Sequence, residues 1–252
     1  MTQQHQRARL LDYAPWILRD YFFNHGPATA LVLLLVGIAT VGPGMAMAGQ
    51  KLVLGAVPEP VAAAMLSSMV ERLSFLGAFF ATNGIVANDR KLGYYRFLFA
   101  KPVKPDRYYA LTFLLYGLGL TAVATVLALV WGATVRPAFT VELFLIIALM
   151  YLAYGGLGFL LSAAWRFDWL SLVTVLLAAN IGWLVWGRST GIRHWILYLL
   201  PPVHRDDQIF ALLSQTPNDP LPWLSILWLG GYGLACFVLG MLVVRRRPLG
   251  TS

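Results

Sequence analysis

At 252 residues, with 59% hydrophobic and only 12% charged positions, the chain is too apolar for a soluble domain, whose apolar share is nearer one half with about a quarter charged. Composition therefore points to a membrane solvent. The net charge of +8 does not point to nucleic acid, because Lys and Arg stand at the ends of apolar runs, the pattern of topology signals facing anionic lipid. The single cysteine, Cys236, lies inside an apolar run, which leaves no intramolecular disulfide framework and no thiolate zinc site.

The first 27 residues mix Arg7, Arg9, Asp12, Arg19 and Asp20 with apolar positions, so they do not read as a cleavable signal peptide, and the amino terminus is expected to stay on the protein. Within them Leu10, Leu11, Ala14, Ile17, Leu18, Tyr21 and Phe22 repeat at three- and four-residue spacing. That spacing predicts an amphipathic helix in the cytoplasmic interface, with Pro15 a candidate kink; a polar tail is the alternative.

A spanning helix needs about 20 apolar residues, and six stretches qualify: 28–48, 61–87, 110–133, 141–164, 169–187 and 223–244. With both termini cytoplasmic, thirteen Lys or Arg fall inside (Arg7, Arg9, Arg19, Arg90, Lys91, Arg96, Lys101, Lys104, Arg107, Arg166 and Arg245 to Arg247) and five outside (Lys51, Arg136, Arg188, Arg193, Arg205). The positive-inside rule selects that orientation. The 35-residue segment 188–222 then lies outside and contains "WILYLLPP". That run is too short to cross and too apolar for water, so it predicts an interfacial or re-entrant helix stopped by Pro201 and Pro202, acting as a gate or as a packing lid. No internal repeat or low-complexity linker divides the chain. It reads as one domain over 1–252: all-α, polytopic, with six transmembrane helices.

The strip "NDRKLGYYRFLFAKPVKPDRYY", 88–109, holds six Lys or Arg and two Asp and is the one long cytoplasmic loop of this topology. Lys91 to Ala100 can be helical, whereas Pro102 and Pro105 are expected to end that helix and force an extended passage into the third span. On a helix Leu92, Tyr95, Leu98 and Phe99 share a face, Arg96 lies beside it, and Gly93 leaves room for another backbone. The plainer reading is that the charges only fix topology and the aromatics only form an interfacial belt.

The order "NDRKLGYYRFLFAKPVKPDRYYALTF" resembles the segment after the second span in the type-2 exporter permeases of the ABC (ATP-binding-cassette) transporters. Asp89 and Arg90 match the family's acidic-basic cluster, Gly93 its glycine, Leu98 its apolar helix position, Pro102 its proline and Arg107 its later basic residue. The family often has Glu just before the glycine, where this chain has Lys91 and Leu92. The span count, the amphipathic amino-terminal helix and the outer segment match as well. The resemblance implies that the strip, with Tyr95, Arg96 and Phe99 on it, is a coupling helix docking on a cytoplasmic ABC ATPase subunit. It also implies two ATPase copies, a second permease chain (a copy of this one or a close homologue), and a multi-pass place in a prokaryotic inner or plasma membrane. No Gly-x-x-x-x-Gly-Lys-Ser/Thr phosphate loop is present, so ATP and Mg are expected on the partner and no cofactor on this chain.

Glu71 and Arg72 fall within the second apolar run, where a charge costs at least about 2.5 kcal/mol and marks a transport path by default. If 60–70 formed a separate outer helix, the pair would instead cap the span at the interface. Met45, Met47, Met65 and Met69 cluster near the ends of the first two runs, as Cu(I) ligands or, with no His or Cys interleaved, as ordinary packing. His194 and His204 lack ligand spacing, so no metal site is expected. Ala124, Ala128 and Gly132, and Gly155, Gly156 and Gly158, form small-residue stripes suited to close helix packing. No Ser-His-Asp set or carboxylate dyad favours catalysis. Three classes stand: ABC exporter permease, ATP-independent transporter or channel, and membrane-embedded enzyme.

Overall fold

The computed structural model describes residues 12–25, 27, 30–31, 59–82, 85–87, 89, 104–134, 141–165, 168–187, 197–210 and 221–246. Every regular element among them is helical. Helix α1, Ala14–Asp20, runs on into a π turn, Tyr21–His25; α2 is Glu59–Thr82 and α3 is Pro105–Thr134. Val141–Ala164 is one continuous helix, α4, carrying a second π turn at Tyr151–Gly155. Helix α5 is Asp168–Trp186, α6 is Asp206–Phe210 after a 3-10 turn at Val203–Arg205, and α7 is Trp223–Arg246.

Among the described residues three helices are long and apolar enough to cross a membrane: Pro105–Trp131 of α3, all of α4, and α7. Leu170–Trp186 of α5 is a shorter apolar helix. The expected first span lies outside the described residues apart from positions 30 and 31, and the expected second span falls on the 24-residue α2, which is not one of the three.

Side-chain contacts give the helix directions. Moving up α2, Phe75 meets Tyr154, Thr82 meets Gly155 and Gly158, and the amides of Val86 and Ala87 meet Ser162, so α2 and α4 are parallel. Helix α7 runs the same way, for Gly230, Gly233 and Gly240 lie against Leu149, Leu152 and Leu160 of α4 in turn. Helix α3 is antiparallel to these: its Asp106 meets Arg245 and its Phe113 meets Phe237. Helix α5 is antiparallel to α4, with Leu172 near Gly158 and Leu176 and Asn180 near Tyr154. The result is an up-and-down bundle. Its basic end gathers Lys104, Arg107, Arg245 and Arg246; the opposite end holds Glu142, Trp186 and Trp223.

The core centres on Phe113, Tyr151, Phe159 and Phe237, whose rings lie 4.6 to 5.9 Å apart. Helix α4 and helix α7 touch backbone to backbone. A Cβ on Gly156 would stand 2.3 Å from the Gly233 carbonyl oxygen, and one on Gly233 would stand 2.2 Å from that of Leu152. This is how small residues join apolar helices that have no hydrophobic force between them in lipid. Of the glycine stripe expected on the fourth span Gly156 makes that contact, whereas Gly155 and Gly158 lie against Thr82 of α2, and Ala124 and Ala128 of the other stripe are buried.

Two proline expectations change. Pro15 sits in the first turn of α1, where a missing N–H costs nothing, so it starts the helix and does not kink it. Pro105 likewise opens α3, so the third helix begins five residues ahead of Ala110; Lys104 before it is non-helical, and 101–103 lie outside the described residues. Ile17 and Tyr21 of the amino-terminal segment are buried against the bundle, whereas Trp16, Phe22 and Phe23 are exposed. The Arg19 guanidinium lies 5.8 Å and 5.6 Å from the Trp16 and Phe23 rings. Leu10 and Leu11 lie outside the described residues.

Candidate functional site

Helix α2 is uninterrupted from Glu59, so Glu71 is the thirteenth of its 24 residues. At 1.5 Å per residue that is about 18 Å along the axis. Residues 60–70 therefore do not form a separate helix, and Glu71 and Arg72 do not cap one. The Arg72 side chain lies outside the described residues.

Glu71 opens on a cavity of about 370 Å3 between α2, α4 and α5, roofed by the segment that carries α6. Helix α2 contributes Glu71 and Phe75, α4 contributes Tyr154, and α5 contributes Leu176, Asn180 and Trp183. Val203, Asp206 and Phe210 form the roof. Two carboxylates thus share a wall with Phe75, Tyr154, Trp183 and Phe210, and among the described side chains no Lys, Arg or His lines it.

The π turn in α4 shapes this site. One extra residue in a turn rotates the rest of the helix by about 100° relative to a regular one. Tyr151, at its start, points into the core and donates to the Phe113 carbonyl at 2.6 Å, while Tyr154 reaches the cavity and donates to the Asp206 carboxylate. The Phe75 and Tyr154 rings pack edge-on with centroids 5.3 Å apart. Further contacts fix the roof: Ser67 donates to the Phe210 carbonyl at 3.4 Å, and Ser225 of α7 donates to Gln208. A ladder of rings, Trp183 to Tyr198 at 6.0 Å and Tyr198 to Trp228 at 5.3 Å, ends on the Arg205 guanidinium, 5.5 Å from Trp228. Of the "WILYLLPP" run only Leu197 onward is described. There it makes a turn closed by Leu200 N–H to the Leu197 carbonyl, and Leu197 is fully buried beside Gly182.

At the basic end, Tyr109 of α3 donates to the Asp89 carboxylate at 3.1 Å. Arg107 is exposed two residues before it, so the two ends of the 88–109 strip meet there. Burial raises the Asp89 pKa to about 6, the Asp20 charge adds to the rise, and the Tyr109 hydrogen bond opposes it. Arg245 closes a second contact, with Nε and Nη2 at 2.9 and 2.7 Å from Asp106. Arg90, Gly93, Tyr95, Arg96, Leu98, Phe99 and Pro102 lie outside the described residues, as do Met45 and Met47.

Sequence reasoning picked out Glu71 and missed Tyr154, Asn180, Trp183 and Asp206. Asn180 left a signal, as the one Asn or Gln in the fifth apolar run; an amide there needs a reason. Asp206 left none, because an acid in a polar connecting segment is ordinary. Among the described residues no three His, Cys, Asp or Glu gather as metal ligands.

No family model, curated protein or solved structure matches the chain. Among the described residues the protein is all-helical, and its three long apolar helices are compatible with a membrane protein.

Proposed function

We propose that this chain is the permease subunit of an ABC exporter. It would cross the membrane six times with both termini cytoplasmic, act as a dimer or as a pair with a homologue, and take its energy from a separate ATPase docked on the 88–109 strip. The observation that carries this reading is the pairing of Asp89 with Tyr109 at 3.1 Å. It ties the two ends of the strip together at the end of the bundle where Lys104, Arg107, Arg245 and Arg246 collect. A loop held at both feet can pass a push from a partner into α2 and α3, and α2 carries Glu71 to the cavity. The amino-terminal segment, with Trp16, Phe22 and Phe23 exposed around Arg19, fits an amphipathic helix lying in the interface.

The test is purification under gentle extraction followed by reconstitution with the co-purifying ATPase. Gly93→Glu and Arg96→Glu are expected to uncouple hydrolysis from transport while leaving insertion intact. Absence of any associated ATPase, or full coupling in both variants, overturns the assignment. Glu71 at mid-helix beside a polar cavity favours a second reading, an ATP-independent transporter; transport that survives ATP depletion selects it.

A further inference from the structure

We propose that the cavity between α2, α4 and α5 binds a monovalent organic cation with an apolar or aromatic body, such as an amine or quaternary ammonium compound. The volume of about 370 Å3 is that of a small-molecule site, and its wall sets polar groups, which make up most of its surface, beside the rings of Phe75 and Trp183. Among the described side chains the polar groups are of one sign or neutral; the side chains of Arg72 and His204 lie outside them. Glu71 is exposed to the cavity, Asp206 is held in the wall by the Tyr154 hydroxyl, and Asn180 is anchored by its own amide donating to the Leu176 carbonyl at 3.0 Å. An anion would meet two carboxylates. A cation meets Glu71 for charge and the faces of Phe75 and Trp183 for its alkyl groups, and a cation within about 6 Å of a ring is attracted by the ring quadrupole.

A metal ion fits less well. It needs several oxygen or nitrogen ligands converging on one point, and among the described residues no three His, Cys, Asp or Glu gather there. Nearby Arg205 belongs to the neighbouring aromatic ladder, over Trp228 of α7, and does not line the cavity. The Tyr154 to Asp206 bond joins floor to roof, so the ligand lies directly beneath a closed contact.

This names a cargo class for the proposed permease, and it rests on that reading only in calling the ligand a cargo. Binding is measured with the full chain in lipid nanodiscs, without ATP or an ATPase, by equilibrium dialysis of radiolabelled benzyltrimethylammonium, with benzenesulfonate as the anionic counterpart of similar shape. The expected result is saturable binding of the ammonium compound and none of the sulfonate. Glu71→Gln is expected to weaken binding by about tenfold or more, because it removes the charge facing the ligand. Asn180→Asp adds a carboxylate and is expected to tighten binding, which keeps the proposal testable should Glu71→Gln fold poorly. Glu142→Gln, at the exposed start of α4, is expected to change nothing. Equal binding of both ions, no saturable binding of the cation, or wild-type affinity in both cavity variants overturns the proposal. A missing ATPase partner leaves this measurement untouched, so the two readings fail separately.

Discussion

Ser162 accepts the backbone N–H groups of Val86 and Ala87 at 3.1 and 3.0 Å, with its own side chain fully buried. These are donors just past the end of α2 that would otherwise be buried without partners. Leaving a buried donor unmade costs about 1–3 kcal/mol, so Ser162→Ala is expected to lower the thermal midpoint of the purified chain by several degrees. Asp89 gives a different dependence. Its pKa rises from the ordinary 3.8 to about 6 in the folded chain, so the folded state holds the proton more tightly than the unfolded one. Between about pH 4 and pH 6 its contribution to stability therefore falls as pH rises. Asp89→Asn cannot titrate. Melting curves across that range are expected to show the variant gaining on the wild type with rising pH, towards about 3 kcal/mol for a rise of this size, and curves that stay parallel would refute the buried carboxylate. Neither role was legible in the sequence. Ser162 reads as one more small residue among alanines, and Asp89 as one more charge in a charged strip; burial by distant helices gives each its role.

Helix α7 offers a paired test of the glycine contact. A methyl group on Gly233 would strike the Leu152 backbone, whereas one on Gly231 meets nothing within 4 Å. Gly233→Ala is expected to destabilise by about 1–3 kcal/mol, as overpacking does. Gly231→Ala is expected to be neutral or to stabilise by up to about 1 kcal/mol, because alanine is the better helix former. Urea or thermal unfolding of both checks the pair, and equal effects would exclude backbone contact between α4 and α7. At this scale the sequence was informative about apolar length and small-residue stripes. It was less so about ends: Pro105 was expected to precede an extended passage and instead occupies the first helical position, since a proline closes one helix and opens another by the same missing N–H.

Across the whole molecule, α2 to α5 alternate in direction and α7 runs parallel to α4, as consecutive crossings of a membrane would require. The basic end of the bundle is also the end that carries Arg245 and Arg246. Helices α4 and α7 are parallel, so Glu142, at the start of one, and Arg246, at the finish of the other, stand at opposite ends. Single cysteines at these positions, in a chain with Cys236 replaced, are expected to react with an impermeant thiol reagent from opposite faces of the membrane, and the proposed topology puts Arg246→Cys on the cytoplasmic one. Labelling of both from one face would contradict the bundle as a set of crossings. The parity was legible because apolar runs are counted along the chain. The cavity was not, because it is assembled from residues that lie 135 positions apart, from Glu71 to Asp206, and only packing joins them.

The π turn in α4 makes that helix two rods joined one residue out of phase. Val141–Met150 and Gly156–Ala164 both pack against α2 and α7, the first with Leu149 at Gly230 and the second with Gly156 at Gly233, Phe159 at Gly240 and Ser162 at the amides of Val86 and Ala87, only because of that offset. Deleting Ala153 would let the backbone close into a regular helix at no cost in hydrogen bonds. It would also turn one rod about 100° against the other, so that the faces set for α2 and α7 no longer match at once. The lost residue would be felt as a change of phase, and the length of the helix would matter less than the count of residues within it.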